Sequence, residues 1–252
     1  MNPAIMGHIG IREADSSAGL RSIHLRDYAV VYIDIMGTKS ILASEDEQKV
    51  IDFIQNLADL YHSMSELHIE KRIFSDNIMI FDDYSEENLQ RMVSIACRTQ
   101  CYLLMRYNLL SRGGIVRGKL YHDENFVIGK GLVDAYKIES EIAVSPRIVL
   151  SDGLSADLPN TCKSVSDGRV MVDYMSQFYD EYDEIPDYEQ VKEHRRIILQ
   201  LANADHSELD TKEKERIAFK YGCVVQYHNR FCRQNDLDEL LINPDEVTTI
   251  AI

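Results

Sequence analysis

The spacing of hydrophobic and polar positions changes several times along the chain, and each change marks a predicted boundary between secondary-structure elements. Residues 28–33 form a continuous apolar run rich in β-branched side chains, which predicts a strand buried on both faces. Residues 46–67 then repeat apolar side chains at helical spacing, which predicts one amphipathic helix. The folded part of the chain is therefore expected to open with a strand followed by a long helix.

Four further elements are predicted in the order strand, strand, helix and strand. Their predicted ranges are 69–74, 78–81, 85–110 and 112–121. The polar residues 75–77 predict a turn between the two short strands, and Gly113 and Gly114 indicate close backbone approach in the last strand. The resulting β-α-β-β-α-β order is typical of an α+β, ferredoxin-like fold, in which an antiparallel sheet carries helices on one face.

A hairpin tip, a third helix and two more strands are predicted after this core. Their ranges are 122–128, 129–143, 146–150 and 169–174, and the last of these strands is expected at the edge of the sheet. Residues 188–235 predict two helices joined near residues 206–210. We therefore divide the chain into a flexible arm over 1–24, a core over 25–180 and a helical C-terminal extension over 181–252, packed on the core.

The charge balance narrows the range of partners. The chain of 252 residues has a formal net charge of −15, which disfavours binding to the phosphate backbone of nucleic acids. A small polyphosphate substrate stays compatible with this charge, because a bound divalent cation reverses the local sign. No apolar run is long enough to span a bilayer, and the N-terminus lacks the pattern of a signal peptide, so a cytoplasmic location without membrane contact is expected.

Two aspartates stand at positions that suit metal binding. Asp34 follows an apolar strand, where a carboxylate is costly to bury unless it is paired or coordinates a cation. Asp76 lies in the turn of the next hairpin, and a ferredoxin-like sheet places that hairpin beside the first strand. Two converging carboxylates suit Mg²⁺ or Mn²⁺. Taken singly, however, Asp34 could cap a turn and Asp76 could be an ordinary hairpin residue.

The loop after Asp34 is a candidate for holding phosphate groups. Its residues are Ile35, Met36, Gly37, Thr38 and Lys39. Backbone N–H groups at a junction between a strand and a helix can bind phosphate oxygens, and the Lys39 ammonium would add positive charge.

Four segments of the chain resemble, in order and spacing, the motifs of the class III nucleotidyl cyclases. They are residues 32–37 (YIDIMG), 72–76 (RIFSD), 112–115 (RGGI) and 129–139 (GKGLVDAYKIE). The chain looks most like the bacterial pyrimidine cyclases of Pycsar antiphage defence, with a match over about residues 25–155 and a softer likeness at His228 and Asn229.

This resemblance implies a two-metal site and a dimer. Asp34 and Asp76 would ligate two divalent cations, Mn²⁺ or Mg²⁺, with the Ile35 carbonyl as a further ligand. The cations would hold the nucleoside triphosphate and favour ionisation of its ribose 3′-hydroxyl, which would attack the α-phosphorus and release pyrophosphate. The core over 25–180 would be the catalytic domain, and each site would form between two chains of a head-to-tail homodimer.

Four positions depart from the purine-cyclase pattern. Arg72 and Phe126 stand where those enzymes read the base with a lysine and with an acidic or polar residue, which argues against ATP and GTP. An arginine can donate to O2 or O4 of a pyrimidine, although Arg72 could instead pair with a surface acid. Val133 and Lys137 stand where the family has a transition-state Asn and Arg.

The loss of the Asn at Val133 requires another donor if the chain is active. Arg112, Arg117, Lys130 or a residue of the C-terminal extension could supply it, and we select Lys137 and Arg112 as catalytic candidates. A helix pair between Asp134 and Lys137 is the alternative for that lysine.

The preferred reading is a uridylate cyclase that converts UTP to cyclic UMP, which would act on a separate effector protein. Open alternatives are a cytidylate cyclase, a purine cyclase and a non-catalytic nucleotide-binding sensor.

Overall fold

The computed structural model describes residues 23–154, 161–165, 167–179 and 185–248. Its strands are β1 Arg26–Ile35, β2 Glu70–Phe74, β3 Asn77–Asp83, β4 Ser111–His122, β5 Val127–Ile128, β6 Ile148–Leu150, β7 Cys162–Ser164 and β8 Val170–Val172. Its α-helices are α1 Thr38–Leu42, α2 Glu47–Ser63, α3 Glu86–Tyr107, α4 Lys130–Lys137, α5 Tyr188–Ala202 and α6 Thr211–Gln234. Except for residues 23 and 24, the predicted flexible arm lies outside the described residues.

The sheet has the predicted ferredoxin-like topology. Its strand order is β2-β3-β1-β4-β6-β8-β7, with β5 paired to β4. β1 runs antiparallel to both β3 and β4, whereas β4 and β6 are parallel. The continuous apolar run predicted this central place for β1, because residues 29–31 and Ile33 are fully buried between the two faces. The α+β fold class is therefore confirmed.

Helices cover the two faces of the sheet unequally. On one face, Val31 and Ile33 pack with α2, α3, α5 and α6 in the largest apolar cluster. On the other face, Tyr28 and Val30 pack with α4 and with the π turn Ile138–Ile142 that continues it. The prediction of helices on one face thus holds for the βαββαβ core, while α4, which follows that core, lies on the opposite face.

A glycine contact lets α4 approach β4 closely. A Cβ atom added at Gly118 of β4 would lie only 2.4 Å from the Cα atom of Gly131 in α4. Gly114, further along β4, faces the carbonyl of Ala135 with a distance of 2.5 Å from the same hypothetical atom. The absence of side chains at these two positions of β4 therefore sets the depth at which α4 packs.

The C-terminal extension closes the main core. The cluster that contains Val31 and Ile33 also contains Val191 of α5, Phe231 of α6 and Leu240 of a following 3₁₀ turn. The break between α5 and α6 falls at residues 203–210, which includes the predicted joint at 206–210. Strand β8 confirms the additional strand predicted at 169–174, although β7 rather than β8 lies at the edge.

Two fully buried histidines join α5 to α6. His228 Nε2 lies 2.9 Å from the carbonyl oxygen of Leu240, which can only accept, so this nitrogen carries the proton. His228 Nδ1 then accepts from His194 Nδ1 at 2.9 Å, and His194 Nε2 accepts from the Tyr174 hydroxyl at 2.9 Å. This chain of hydrogen bonds is complete with both imidazoles neutral, whereas protonation of both would set one Nδ1–H group against the other.

Some boundaries differ from the sequence-based expectation. Helix α3 ends at Tyr107 rather than near residue 110, because Asn108 takes a left-handed conformation with φ of 56° and caps it.

Among the described residues, no helix combines the length and the apolar character that crossing a bilayer requires.

Candidate active site

The backbone brings Asp34 and Asp76 to the same end of the sheet. Asp34 lies opposite Asn77 of β3 and opposite Arg112 of β4. One residue after Asp34, the Ile35 amide donates to the Asp76 carbonyl at 2.9 Å. The end of β1 is therefore hydrogen-bonded to the turn between β2 and β3. The negative charge of Asp76 also contributes to raising the pKa of Asp34.

Asp34 is held by an arginine that also binds a second acid. Arg112 Nε donates to Asp34 Oδ2 at 3.1 Å, and Arg112 Nη2 lies 2.6 Å from Glu139 Oε1. Burial raises the pKa of Asp34, against the lowering effect of the hydrogen bond and charge of Arg112. Burial raises the pKa of Glu139 to about 7, again opposed by Arg112 and reinforced by Asp34.

Glu139 was missed as a site residue by sequence reasoning. The Glu139 side chain is only 3% exposed. It lies in a segment predicted to be helical, where a charged residue is normally expected at the surface. The π turn after α4 turns this side chain toward the end of the sheet where Arg112 begins β4. A buried acid at that point could have been inferred only from its partner, Arg112, which the sequence places far away.

Asp76 is oriented by its neighbours. The buried Thr38 hydroxyl donates to Asp76 Oδ2, and Asn77 Nδ2 donates to Asp76 Oδ1 at 3.2 Å. The Tyr32 hydroxyl in turn donates to Asn77 Oδ1 at 2.7 Å, and burial raises the pKa of Tyr32 to about 12. The carboxylate of Asp76 is thus fixed by two donors before any ligand binds.

The loop after Asp34 is only partly available for phosphate binding. The amides of Ile35 and Met36 donate to Asp76 and to Leu110, so they are already occupied. Gly37 has φ of +85°, which starts the short helix α1, and the Lys39 side chain is exposed. Thr38 acts through its hydroxyl on Asp76 instead of facing solvent.

Arg72 and Phe126 are associated with the β4–β5 hairpin and not with Asp34. Arg72 donates from Nη2 to the carbonyl of Asp123 in the β4–β5 hairpin at 3.2 Å, and from Nη1 to Glu70 at 3.2 Å. Phe126 is 57% exposed at the same hairpin. The guanidinium of Arg72 is therefore engaged by the hairpin and by a surface acid, the alternative considered for it above, and forms no hydrogen bond or ion pair with Asp34 or Asp76 among the described residues.

Val133 and Lys137 stand one turn apart on the exposed side of α4. The alternative partner for Lys137 is engaged elsewhere, since Asp134 accepts from Lys130. Among the other candidate donors, Arg117 pairs with Asp27 at 3.5 Å. Only one of the candidate donors contacts Asp34 among the described residues, and that donor is Arg112. The other candidates are Arg117, Lys130 and Lys137.

A cavity of about 530 Å³ adjoins the end of β1. The residues that line it are Met36, Gly37, Ser40, Ile41, Asn108, Leu109, Leu110, Leu201, Asp205, His206, Ser207, Glu208, Leu209, Ile217, Lys220 and Tyr221. The loop after Asp34 therefore lines one part of the cavity, and the α5–α6 connection with α6 lines another part.

The donor set at the end of β1 fits hard divalent cations. Asp34 and Asp76 offer carboxylate oxygens and Ile35 offers a carbonyl, which are the ligand types that Mg²⁺ and Mn²⁺ prefer. Within the described ranges, no group of three or more His, Cys, Asp or Glu side chains is arranged as a complete metal site. Cations at this site would therefore need oxygen atoms of a bound ligand or water to complete their coordination.

Comparison with known proteins gives structural likenesses only. No protein-family model and no curated protein sequence matches the chain. The guanylyl cyclase Cya2 is 17% identical, with 60% of this chain and 92% of that chain covered and a TM-score of 0.45. The adenylyl cyclase CyaB from P. aeruginosa is 15% identical over 60% and 94%, at 0.47. A bacterial light-regulated adenylyl cyclase is 12% identical over 70% and 57%, at 0.49.

Proposed function

We propose that the chain is a nucleotidyl cyclase that closes a nucleoside triphosphate to its 3′,5′-cyclic monophosphate and releases pyrophosphate. The observation that carries this proposal is the convergence of Asp34 and Asp76 at one sheet end, joined through the bond from Ile35 to Asp76. The cyclase-like motifs supply these same two aspartates, and the ferredoxin-like strand order accounts for their meeting.

The residues at this sheet end have separate roles in the proposal. Asp34, Asp76 and the Ile35 carbonyl would hold two Mn²⁺ or Mg²⁺ ions, which when bound neutralise phosphate charge and favour ionisation of the ribose 3′-hydroxyl. Thr38 keeps the Asp76 carboxylate in one orientation. Arg112 keeps its ion pair to Glu139 and presents its remaining donors to the phosphates.

A second copy of the chain would complete the site. Among the described residues, no hydrogen bond or ion pair joins Arg72, Phe126, Val133 or Lys137 to Asp34 or Asp76, so in this proposal a head-to-tail partner would supply them. Large exposed apolar side chains cluster on the same elements, as expected of a surface that associates. They are Phe74, Phe126, Ile128, Val133 and Tyr136.

We favour a pyrimidine substrate, UTP before CTP. Arg72 can donate to O2 or O4 of a pyrimidine, and its guanidinium is positioned by Asp123 and Glu70 at an exposed site beside Phe126. The exposed phenyl ring of Phe126 cannot accept the hydrogen bonds that a purine edge donates. By resemblance, the cyclic UMP product would signal to a separate effector protein in antiphage defence.

A non-catalytic nucleotide sensor is the second candidate, and Val133 is the observation that favours it. Val133 cannot donate a hydrogen bond to the reacting phosphate at the place where cyclases carry an Asn. This reading predicts nucleotide binding without turnover.

The test is to incubate the chain with each of the four labelled NTPs and Mn²⁺, and to follow pyrophosphate release and product chromatography. We expect cyclic UMP from UTP and a smaller amount of cyclic CMP. A cyclic product from ATP or GTP alone would contradict the pyrimidine proposal. Binding of an NTP with no product from any of the four would support the sensor.

A further inference from the structure

The C-terminal extension places a lysine at the predicted phosphate loop. Lys220 lies on α6 and lines the same cavity as Met36, Gly37 and Ser40. This cavity adjoins the end of β1, and the charges of Asp34 and Arg112 there both act on the pKa of Lys220. Nothing in the sequence pattern connects this residue to the cyclase-like motifs, because it stands more than a hundred residues after Arg112.

The Lys220 ammonium is poorly compensated by the protein. The side chain is half-buried, yet within the described part of the chain no hydrogen bond or ion pair is formed by its Nζ atom. Burial lowers the pKa of Lys220, and the neighbouring charges of Arg112 and Arg216 lower it further, whereas Asp34 opposes them. With its aliphatic stem packed against the protein, the ammonium group keeps its donors free for an anion that enters the cavity.

The surrounding charges favour an anion rather than a second cation beside Lys220. The carboxylates of Asp34 and Glu139 are ion-paired with Arg112, at 3.1 and 2.6 Å, which takes up part of their negative charge. Of the acids that line the cavity, Asp205 is turned back on its own loop, where it accepts from the Ser207 amide at 2.9 Å. Glu208 lies on the α5–α6 connection, a different part of the lining from the loop of Met36 and Gly37.

We infer that Lys220 binds the triphosphate of the substrate from the same subunit that supplies Asp34 and Asp76. The phosphate chain would lie in the cavity between the loop after Asp34 and α6, with the ammonium group on its non-bridging oxygens. This inference rests on the proposed function for the identity of the ligand. It makes the C-terminal extension a part of the binding site as well as a cover for the core.

The experiment measures binding of inorganic tripolyphosphate by isothermal titration calorimetry in the presence of EDTA, which separates it from metal binding and from turnover. We expect Lys220→Gln to weaken binding at least about tenfold, as loss of a charge-assisted contact does. Lys220→Arg should restore most of the affinity because it keeps the charge. Lys212→Gln, at an exposed position on the same helix, is the matched control and should change the affinity less than about twofold.

Thermal unfolding of each variant establishes that it is folded, and Lys220→Met, which keeps the apolar stem, replaces the Gln variant if that one unfolds. Equal affinities for the Lys220 and Lys212 variants, or no tripolyphosphate binding by the unmodified chain, would overturn the inference. If the unmodified chain forms a cyclic product but the Lys220 and Lys212 variants bind tripolyphosphate equally well, this inference fails and the proposed function stands. Binding that depends on Lys220 without any cyclic product would instead defeat the proposed function.

Discussion

The amide nitrogen of Ile35 donates a hydrogen bond of 2.9 Å to the carbonyl oxygen of Asp76. This bond joins the end of the central strand β1 to the turn of the neighbouring hairpin. The two acidic residues are therefore brought together by main-chain atoms and not by their own side chains. Substitution of either carboxylate should leave the arrangement of the backbone intact, which makes the metal hypothesis testable by mutation.

The first prediction concerns Asp34→Asn and Asp76→Asn. Both variants should lose cyclisation and should also lose the stabilisation that Mn²⁺ gives to the folded chain, because an amide is a much weaker ligand than a carboxylate. Cation at 100 times its Kd stabilises a folded protein by about 2.7 kcal/mol, which thermal unfolding detects. Asp59→Asn, on the exposed side of α2, is the control. An unchanged Mn²⁺ shift in the Asp34 and Asp76 variants would contradict the site.

The second prediction tests the shared site. Asp34→Asn and Lys137→Met chains should each be inactive alone, but a re-equilibrated mixture should regain about a quarter of the activity of the unmodified dimer. About half of the dimers in an equal mixture are mixed, and each of these has one site with both residues intact. Activity is measured as pyrophosphate release after subunit exchange. A mixture as inactive as its components would place both residues in a site within one chain.

The third prediction concerns the contact between β4 and α4. Gly118→Ala should destabilise the fold by about 1–3 kcal/mol, because the new methyl group overlaps Gly131 and pushes α4 away from the sheet. Gly222→Ala in α6 is the matched control, since nothing lies within 4 Å of its added Cβ atom. That change should stabilise the chain by about 0.5–1 kcal/mol through helix propensity. Urea unfolding measures both, and equal effects would refute the close packing.

The fourth prediction is a pH dependence of stability that originates from the buried imidazoles. Burial lowers the pKa of His228 to about 4 and that of His194 well below its ordinary value. The unfolded chain therefore binds more protons between pH 6.5 and about 4, so this contribution is complete above pH 6.5 and is lost as the pH falls through that window. For one imidazole with a folded pKa of about 4, the free energy of unfolding falls by about 2 kcal/mol on acidification to pH 5.

The measurement is the urea midpoint of unfolding between pH 5 and pH 8. His228→Asn should flatten the dependence, whereas His62→Gln, at an exposed position on α2, should leave it unchanged. If the His228 variant loses stability on acidification as steeply as the unmodified chain, the buried histidines are not its source.

The sequence predicted the elements of the core better than their surroundings. The apolar run at β1 predicts a central strand because burial on both faces leaves no polar position. Helical periodicity reports that one side of α4 is buried, but it carries no information on which face of the sheet receives it. The place of α4 depends on Gly118 and Gly131, whose contact is visible only in the folded chain.

The same limit applies to the site. The motifs contain Asp34, Asp76 and Arg112, and Glu139 is the last residue of the fourth segment, but its pairing with Arg112 and the place of Lys220 in the cavity depend on contacts between distant parts of the chain. A polar residue in an amphipathic pattern is normally solvent-exposed, so the burial of Glu139 and the position of Lys220 cannot be predicted from the sequence. Residues that act through long-range packing therefore escape a reading of local patterns.

Val31 and Ile33 of the sheet share one apolar core with Phe231 and Leu240 of the C-terminal extension. Residues 25–180 therefore do not form a unit that could be transferred to another protein by itself. Truncation near residue 180 would expose the apolar side of α3 to solvent and make the remaining N-terminal part prone to aggregation. Recombination that moves residues 25–180 between proteins would have to carry α5 and α6 along with them.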